Sequence, residues 1–342
     1  MHNNDLNKKT LNYGFSILKC LLSFNVISSH CFNKRSSKNN IILFLTGDRR
    51  LHVPSFFILS FYFSHNTLIS SNISKKIIRF QRLLIPYLGW PIIIFLICNA
   101  LKHIKKFKRP CSLKILVFQL ITGQGQELFH FWYLFDLMLT TFIFQSIITI
   151  FEENHLFILN MISILSYFLQ YSKYSKKLYF YTRRVSGLAR ENEIIPFAVT
   201  GFTLNSMKLL NILEKYKFNS ICFCLLIYVL IQDYEVFRKF FGVAYNGIKL
   251  NILSLCLVII FSQFPSKRIK NKYLVTFLKI MTNYSAGTYY LHRVVQLFFK
   301  YIFSDIKNGT FCGILLIYFI SYLISLLGSL IFRNTRAKNL FS

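Results

Sequence analysis

Phe15–Phe32, FSILKCLLSFNVISSHCF, is apolar enough to enter a bilayer and still carries two ionisable side chains, Lys19 and His30. At about 100° per residue, the spacing between them is three turns plus about 20°, so both leave one face of a helix, roughly 16 Å apart along its axis. A cation and an imidazole in line on one membrane helix are costly to bury, and such residues usually mark a functional path. The bland alternative has Lys19 snorkelling to the interface and His30 capping the far end. Either way the stretch is helical, and its apolar length sets the class of protein.

The rest of the chain agrees. Its 342 residues would suit two soluble domains by length alone. Apolar residues make up 54 %, aromatics 18 % and charged residues 15 %, however, and the mean hydropathy is +0.44. Leu, Ile and Phe come in long blocks joined by short basic connectors. The expected fold is all-α, a multi-pass transmembrane bundle of about ten helices forming one domain over 1–342. The net charge of +29 does not indicate nucleic acid, because the basic residues sit between apolar blocks and not in a soluble arm. Anionic headgroups beside the loops account for many of them, and so does a compositional bias that enriches Lys, Asn, Ile, Phe and Tyr together. Cys20, Cys98, Cys222, Cys224 and Cys256 fall in apolar blocks as small hydrophobes, and no spacing suggests a metal site. Met1 to Tyr13 is polar and no small-residue cleavage site follows, so the first block is expected to stay as a membrane anchor.

Ten blocks read as spans: 14–32, 53–71, 83–101, 129–151, 156–170, 194–211, 218–233, 247–264, 284–303 and 311–332. Block 113–122, SLKILVFQLI with its flank, reads as an interfacial amphipathic helix. An even count places both termini on one side. Lys75/Lys76/Arg79/Arg82, Lys208/Lys215/Lys217, Lys267/Arg268/Lys270/Lys272 and Arg333/Arg336/Lys338 then share the cytoplasmic face with Lys8 and Lys9. The loops on the other face, Lys102 to Lys114 and Lys173 to Arg190, are equally basic, so charge alone leaves orientation open.

Several short stretches carry chemistry. Val53–Phe61 reads VPSFFILSF, and Lys75–Tyr87 reads KKIIRFQRLLIPY. Arg79 and Arg82, three apart on a helix, suit a diphosphate or phosphomonoester, or are ordinary flanking charges. Phe129–Asp136 reads FHFWYLFD and Tyr284–His292 reads YSAGTYYLH. Trp132 and Tyr133 also fit an aromatic belt. Asp136 is the acidic residue placed well inside a span, where it needs a partner or a proton. His292 reads as a satisfied core histidine or as part of a polar path.

Taken in order, these residues resemble the acyltransferase type 3 family, multi-pass membrane proteins that O-acylate sugars and other acceptors. Lys19 and His30 match the family's basic residue and histidine of the first helix, with lysine where arginine is usual. VPSFFILSF resembles the second-helix segment, and Arg79-x-x-Arg82 followed by RLLIPYLGW resembles the Arg-x-x-Arg motif and its sequel. HFWYLFDL and AGTYYLH resemble the fourth-helix opening and a late tyrosine-histidine segment. The middle, roughly 155–275, matches nothing usable. Lysine at position 19 keeps the charge but not the planar fork.

The resemblance implies a membrane-bound O-acyltransferase that moves an acyl group, acetyl above all, from acyl-CoA to a hydroxyl of a sugar or lipid-linked acceptor. His30 would be the general base and Lys19 would steady the donor or oxyanion. Arg79 and Arg82 would hold the donor's phosphates from the cytoplasmic side. Trp132, Tyr133, Asp136, Tyr290 and His292 would stand behind these or on the acceptor side. No metal and no nucleic acid are expected; membrane lipid is. Two other classes remain at this stage: a transporter or exporter using Asp136, His130 and His292 as a polar path, and a degenerate acyltransferase serving as a scaffold.

Overall fold

The computed structural model describes residues 12–31, 51–100, 112–123, 132–171, 188–233, 247–264, 271–302 and 311–341. Among these every regular element is helical and no strand forms. In chain order they are α1 (Tyr13–Cys31), α2 (His52–Leu68), α3 (Ile73–Ala100), α4 (Leu113–Thr122), α5 (Trp132–Phe151), α6 (His155–Tyr171), α7 (Leu188–Ser206), α8 (Leu209–Lys215), α9 (Lys217–Asp233), α10 (Ile248–Ser262), α11 (Lys272–Ile302) and α12 (Phe311–Ile331). A 3₁₀ segment, Arg336–Leu340, follows α12. Each of the ten expected blocks holds a helix, and the interfacial block 113–122 is α4. The loop expectations at Lys8, Lys9, Lys102–Lys108, Lys173–Arg184 and Lys267–Lys270 lie outside the described residues, as does His130.

The bundle exposes apolar side chains and buries polar ones within its apolar core. Phe142, Ile150, Phe157 and Phe168 are exposed on α5 and α6, while Ser55, Ser64, Thr140, Asp136, Ser254 and His292 are buried. Buried hydroxyls donate to carbonyls one turn back, as Ser64 does to Ser60 (2.7 Å), Thr141 to Leu137 (2.6 Å) and Ser321 to Ile317 (2.6 Å). That is how a helix carries hydroxyls without water. Among the described residues, three stretches are long and apolar enough to cross a membrane by length and composition: Ile73–Ile97, Trp132–Gln170 and Cys312–Ile331. This differs from the ten expected spans. Some helices, such as α9 and α10, are apolar but short, and longer inward-facing ones are not apolar all round. The 31-residue α11 is long enough, but carries Lys279, Asn283, His292, Arg293 and Gln296. The Trp132–Gln170 run is two helices, broken at the 3₁₀ turn Glu152–Asn154, where Glu152 takes φ +34°. A left-handed residue reverses the chain there, and α6 returns along α5 and α7.

α2 is the hub. It packs on α1, α3, α5, α7 and α10, and α1 packs in turn against α11 and α12. Aromatic contacts give the directions. Phe15 meets Tyr62 and Phe63, so α2 runs antiparallel to α1; Phe57 meets Tyr133 and Phe61 meets Phe144, so α5 runs parallel to α2. The end holding the start of α1 is called here the near end, and the end holding His30 the far end. The tightest joint is α2 on α7. A Cβ at Gly201 would stand 2.1 Å from the Ile58 carbonyl oxygen, so only glycine lets these backbones approach. Phe57, Ile58, Phe61, Phe197 and Phe202 then bury almost completely around it. Gly201→Ala is accordingly expected to lower stability by about 1–3 kcal/mol through overpacking, read as a drop in the thermal midpoint of the detergent-solubilised chain; an unchanged midpoint would contradict this packing.

Candidate active site

A cavity of about 430 Å³ opens among α1, α2, α3, α5 and α11. Lys19 reaches it from α1, Ser60 and Phe63 from α2, Arg79 from α3, Tyr133 from α5, and Asn283, Tyr289 and Tyr290 from α11. These residues meet because α1 and α11 run parallel, with Ser23 Oγ donating to the Ser285 carbonyl (3.4 Å), and because α3 returns along α2. The Lys19 ammonium stands 4.7 Å from the Phe63 ring centroid. The Arg79 guanidinium lies 5.9 Å from the Phe61 ring, and its Nη2 is 3.5 Å from Ser60 Oγ. Its Nε–H is buried with no acceptor. Among the described residues no acidic side chain lines the cavity and no carboxylate pairs with either cation. Two cations against aromatic faces in a half-open cavity form a site with unused capacity for an anion.

Arg82 does not share that site. It is exposed and lies outside the lining. Three residues along a helix turn a side chain by about 60°, enough to point Arg79 at α2 and leave Arg82 on the outer face. The expected side-by-side pair of guanidiniums is thus split into one inward and one outward group.

His30 also lies off the lining, deeper towards the far end. Its ring centroid is 5.2 Å from that of His292, and the His292 ring is 5.8 Å from Tyr289, which does line the cavity. One aromatic step therefore separates the cavity from the paired imidazoles. The His292 Nδ1–H donates to the Tyr289 carbonyl oxygen, which leaves Nε2 as the acceptor nitrogen of the neutral ring. The His30 carbonyl accepts from Gln296 Nε2 (3.0 Å), and Gln296 Oε1 accepts from Arg293 Nη1 (2.5 Å). A further imidazole, His52 on the first turn of α2, was not singled out by the sequence. It is buried, is an electrostatic neighbour of His30, and its Nδ1 has no hydrogen-bond partner. Two histidines on different helices share no spacing that a sequence could reveal.

Asp136 belongs to a separate polar station between α5 and α7. Arg190 grips it with two bonds, Nε to Oδ2 at 2.8 Å and Nη2 to Oδ1 at 3.0 Å, and lies 5.2 Å from the Trp132 ring. Arg190 Nη2 also reaches the Gly123 carbonyl (3.3 Å), and Thr140 Oγ1 donates to Glu191 Oε2 (2.7 Å). Asp136 was expected to need a partner; Arg190 was read as the end of a basic loop. The helix starts earlier than the apolar pattern suggests, at Leu188 and not near 194, because Glu191 and Glu193 are buried, and half-buried Arg190 bonds to Asp136 and Glu191 to Thr140 of α5. Asp136 therefore stands beside Arg190 and not in a path with His292.

This arrangement defines an integral membrane helical protein with a cationic, aromatic-walled cavity leading towards histidines. A family model described as an acyltransferase domain matches residues 12–333, nearly the whole chain, and the chain belongs to the acyltransferase type 3 family. No curated protein and no solved structure matches it.

Removing one partner of a buried ion pair leaves an uncompensated charge, whereas replacing both removes the cost as well as the gain. Arg190→Leu should cost about 3–5 kcal/mol of stability, and the double variant Asp136→Leu/Arg190→Leu clearly less. Thermal midpoints of the three chains in detergent check this; equal losses for the single and the double variant would show that the pair is not the stabilising unit.

Proposed function

We propose that the protein is an O-acyltransferase that moves an acyl group, acetyl in the simplest case, from acyl-CoA to a hydroxyl of a sugar or lipid-linked acceptor. The observation that carries this reading is a pair of cations, Lys19 and Arg79, with no carboxylate partner among the described residues, in one cavity whose inner wall adjoins His30 and His292. A phosphate- and amide-bearing donor suits that cavity. Arg79 offers a buried Nε–H with no acceptor, and the aromatic walls suit a flexible pantetheine arm. Arg82, exposed close by, is placed to meet phosphates outside the mouth.

Both termini lie on the cytoplasmic side in this reading, which makes the near end the donor's entrance. The roughly 16 Å from Lys19 to His30 along α1 then lets a cytoplasmic donor reach an acceptor at depth. His30 takes the acceptor's hydroxyl proton as the oxygen attacks the thioester carbonyl carbon; the C–S bond breaks, and the leaving thiolate recovers the proton. Lys19, nearer the entrance, steadies the donor's phosphate-bearing arm. His292, held by the Tyr289 carbonyl, keeps the His30 ring in place. Membrane lipid surrounds the bundle and carbohydrate is the acceptor class. Export through Asp136 and His292 has less to rest on, since Arg190 engages Asp136.

His30→Ala in folded protein should abolish transfer of radiolabelled acetyl to lipid-linked or surface sugar. Equal transfer by wild type and variant would remove His30 from the chemistry. Arg79→Ala should raise KM for acetyl-CoA by about ten-fold or more, the loss of a charge-assisted contact, and Arg82→Ala by less. A larger effect at Arg82 than at Arg79 would move the phosphate site out of the cavity.

A further inference from the structure

The segment Arg336–Leu340 and Phe341 have no part in the chemistry above, yet they are seated in the bundle beside the cavity. After α12 ends at the near end, the chain turns back and lays Leu340 and Phe341 into a groove made by three helices. From α3, Trp90 Nε1 donates to the Leu340 carbonyl (2.8 Å), and a Cβ at Gly89 would stand 2.5 Å from Leu340 Cδ2. From α12, Ser325 Oγ donates to the Phe341 carbonyl, and a Cβ at Gly328 would stand 2.4 Å from the Phe341 ring. From α11, a Cβ at Gly287 would stand 2.1 Å from the Phe341 carbonyl oxygen. The Phe341 ring stacks on Phe332 at 5.7 Å and meets Trp90 edge-on at 5.6 Å. Three glycines on three helices thus make room for one segment, and two side-chain donors take its carbonyls.

The position of this seat matters for the cavity. Gly287 lies on the same helical stripe as Asn283 and Tyr290, one turn from each, and both line the cavity. Leu340 and Phe341 pack into the same apolar cluster as Trp90, Tyr289 and Tyr290. α3, which carries Arg79, touches α11 only lightly, whereas it and α12 both pack on the 3₁₀ segment. The segment bridges the helix that bears the cation and the helix that bears the tyrosines.

We propose that Arg336–Leu340 and Phe341 form a strap that closes the cavity between α3 and α11, holds Arg79 in register with Tyr289 and Tyr290, and keeps water from the thioester. The proposal rests on the acyl-transfer reading and deepens it: Phe341 and Trp90 are positioning residues, acting through the wall and not on the reacting atoms. A wall that excludes water suppresses hydrolysis of a reactive acyl donor. A loosened wall therefore weakens donor binding and lets water compete with the acceptor.

The test uses the full chain in detergent micelles with acetyl-CoA and a sugar acceptor. Gly328→Ala pushes on the strap from α12 without altering a lining residue. It should raise KM for acetyl-CoA about ten-fold with kcat little changed, and should raise the ratio of acetyl-CoA hydrolysis to acetyl transfer. A merely structural role would lower hydrolysis and transfer together and leave their ratio fixed. Phe341→Ala, which removes volume and does not add it, should give the same split and serves if Gly328→Ala does not fold. The seat is read separately by a Gly89→Cys/Leu340→Cys pair, whose cross-linked peptide should form by mass spectrometry and diminish when Gly328→Ala is added. Loss of the cross-link with KM and the ratio unchanged would overturn the proposal, as would absence of the cross-link in the chain without Gly328→Ala. If the cross-link forms but the wild-type chain neither binds nor turns over acetyl-CoA, it is the acyl-transfer reading that fails, and the strap's part in it falls with it.

Discussion

An ammonium or guanidinium held inside a membrane-embedded bundle must find a counter-charge, a ring face or a ligand, and this constraint sorts the cations of the chain. Arg190 finds Asp136 with two hydrogen bonds and a Trp132 face behind it, so its requirements are met within the fold. Among the described residues, Lys19 and Arg79 find aromatic faces and a distant serine hydroxyl but no carboxylate. A satisfied pair stabilises a helix joint; an unsatisfied pair facing an open cavity is prepared for an anion from outside. The same rule separates the two polar stations, which lie on adjacent faces of α5 about 60° apart: Tyr133 looks into the cavity while Asp136 meets Arg190 of α7.

The packing that creates the cavity depends on how closely backbones approach. Gly201 lets α7 lie on the carbonyl of Ile58 and brings α2 to the centre of the bundle. From there α2 sets Ser60 and Phe63 opposite Lys19 and presents His52 towards His30 at the other end. Small residues serve this purpose in membrane helices because lipid offers no hydrophobic drive for helix association, leaving dispersion and short contacts to hold the helices together.

Much of this was legible in the chain. Every apolar block holds a helix, since an apolar run in lipid has to satisfy its own backbone, although α3 and α11 begin at Ile73 and Lys272, well before the expected 83 and 284. The axial alignment of Lys19 and His30 follows from helix geometry alone, and the resemblance to the acyltransferase type 3 family matched the family shown by residues 12–333. The start of α7 was misjudged, because Arg190, Glu191 and Glu193 look like loop residues until Asp136 and Thr140 are placed opposite them. Among the described residues only three stretches have a span's length and apolarity, because some helices are apolar but short and others carry polar side chains on inward faces.

Sequence by itself determined that the chain is an all-helical membrane protein of this family, because composition, block length and local motif order are properties of the chain in one dimension. It also determined that Lys19 and His30 lie on one helix face. Only the tertiary structure decided that Arg79 turns inward while Arg82 faces out, that His292 stands beside His30, that Arg190 answers Asp136, and that Phe341 returns to pack on Trp90, Gly287 and Gly328. Each of these is a contact between residues distant in the chain, set by which helix packs on which, and the local pattern around a residue holds no information about its neighbour across a bundle.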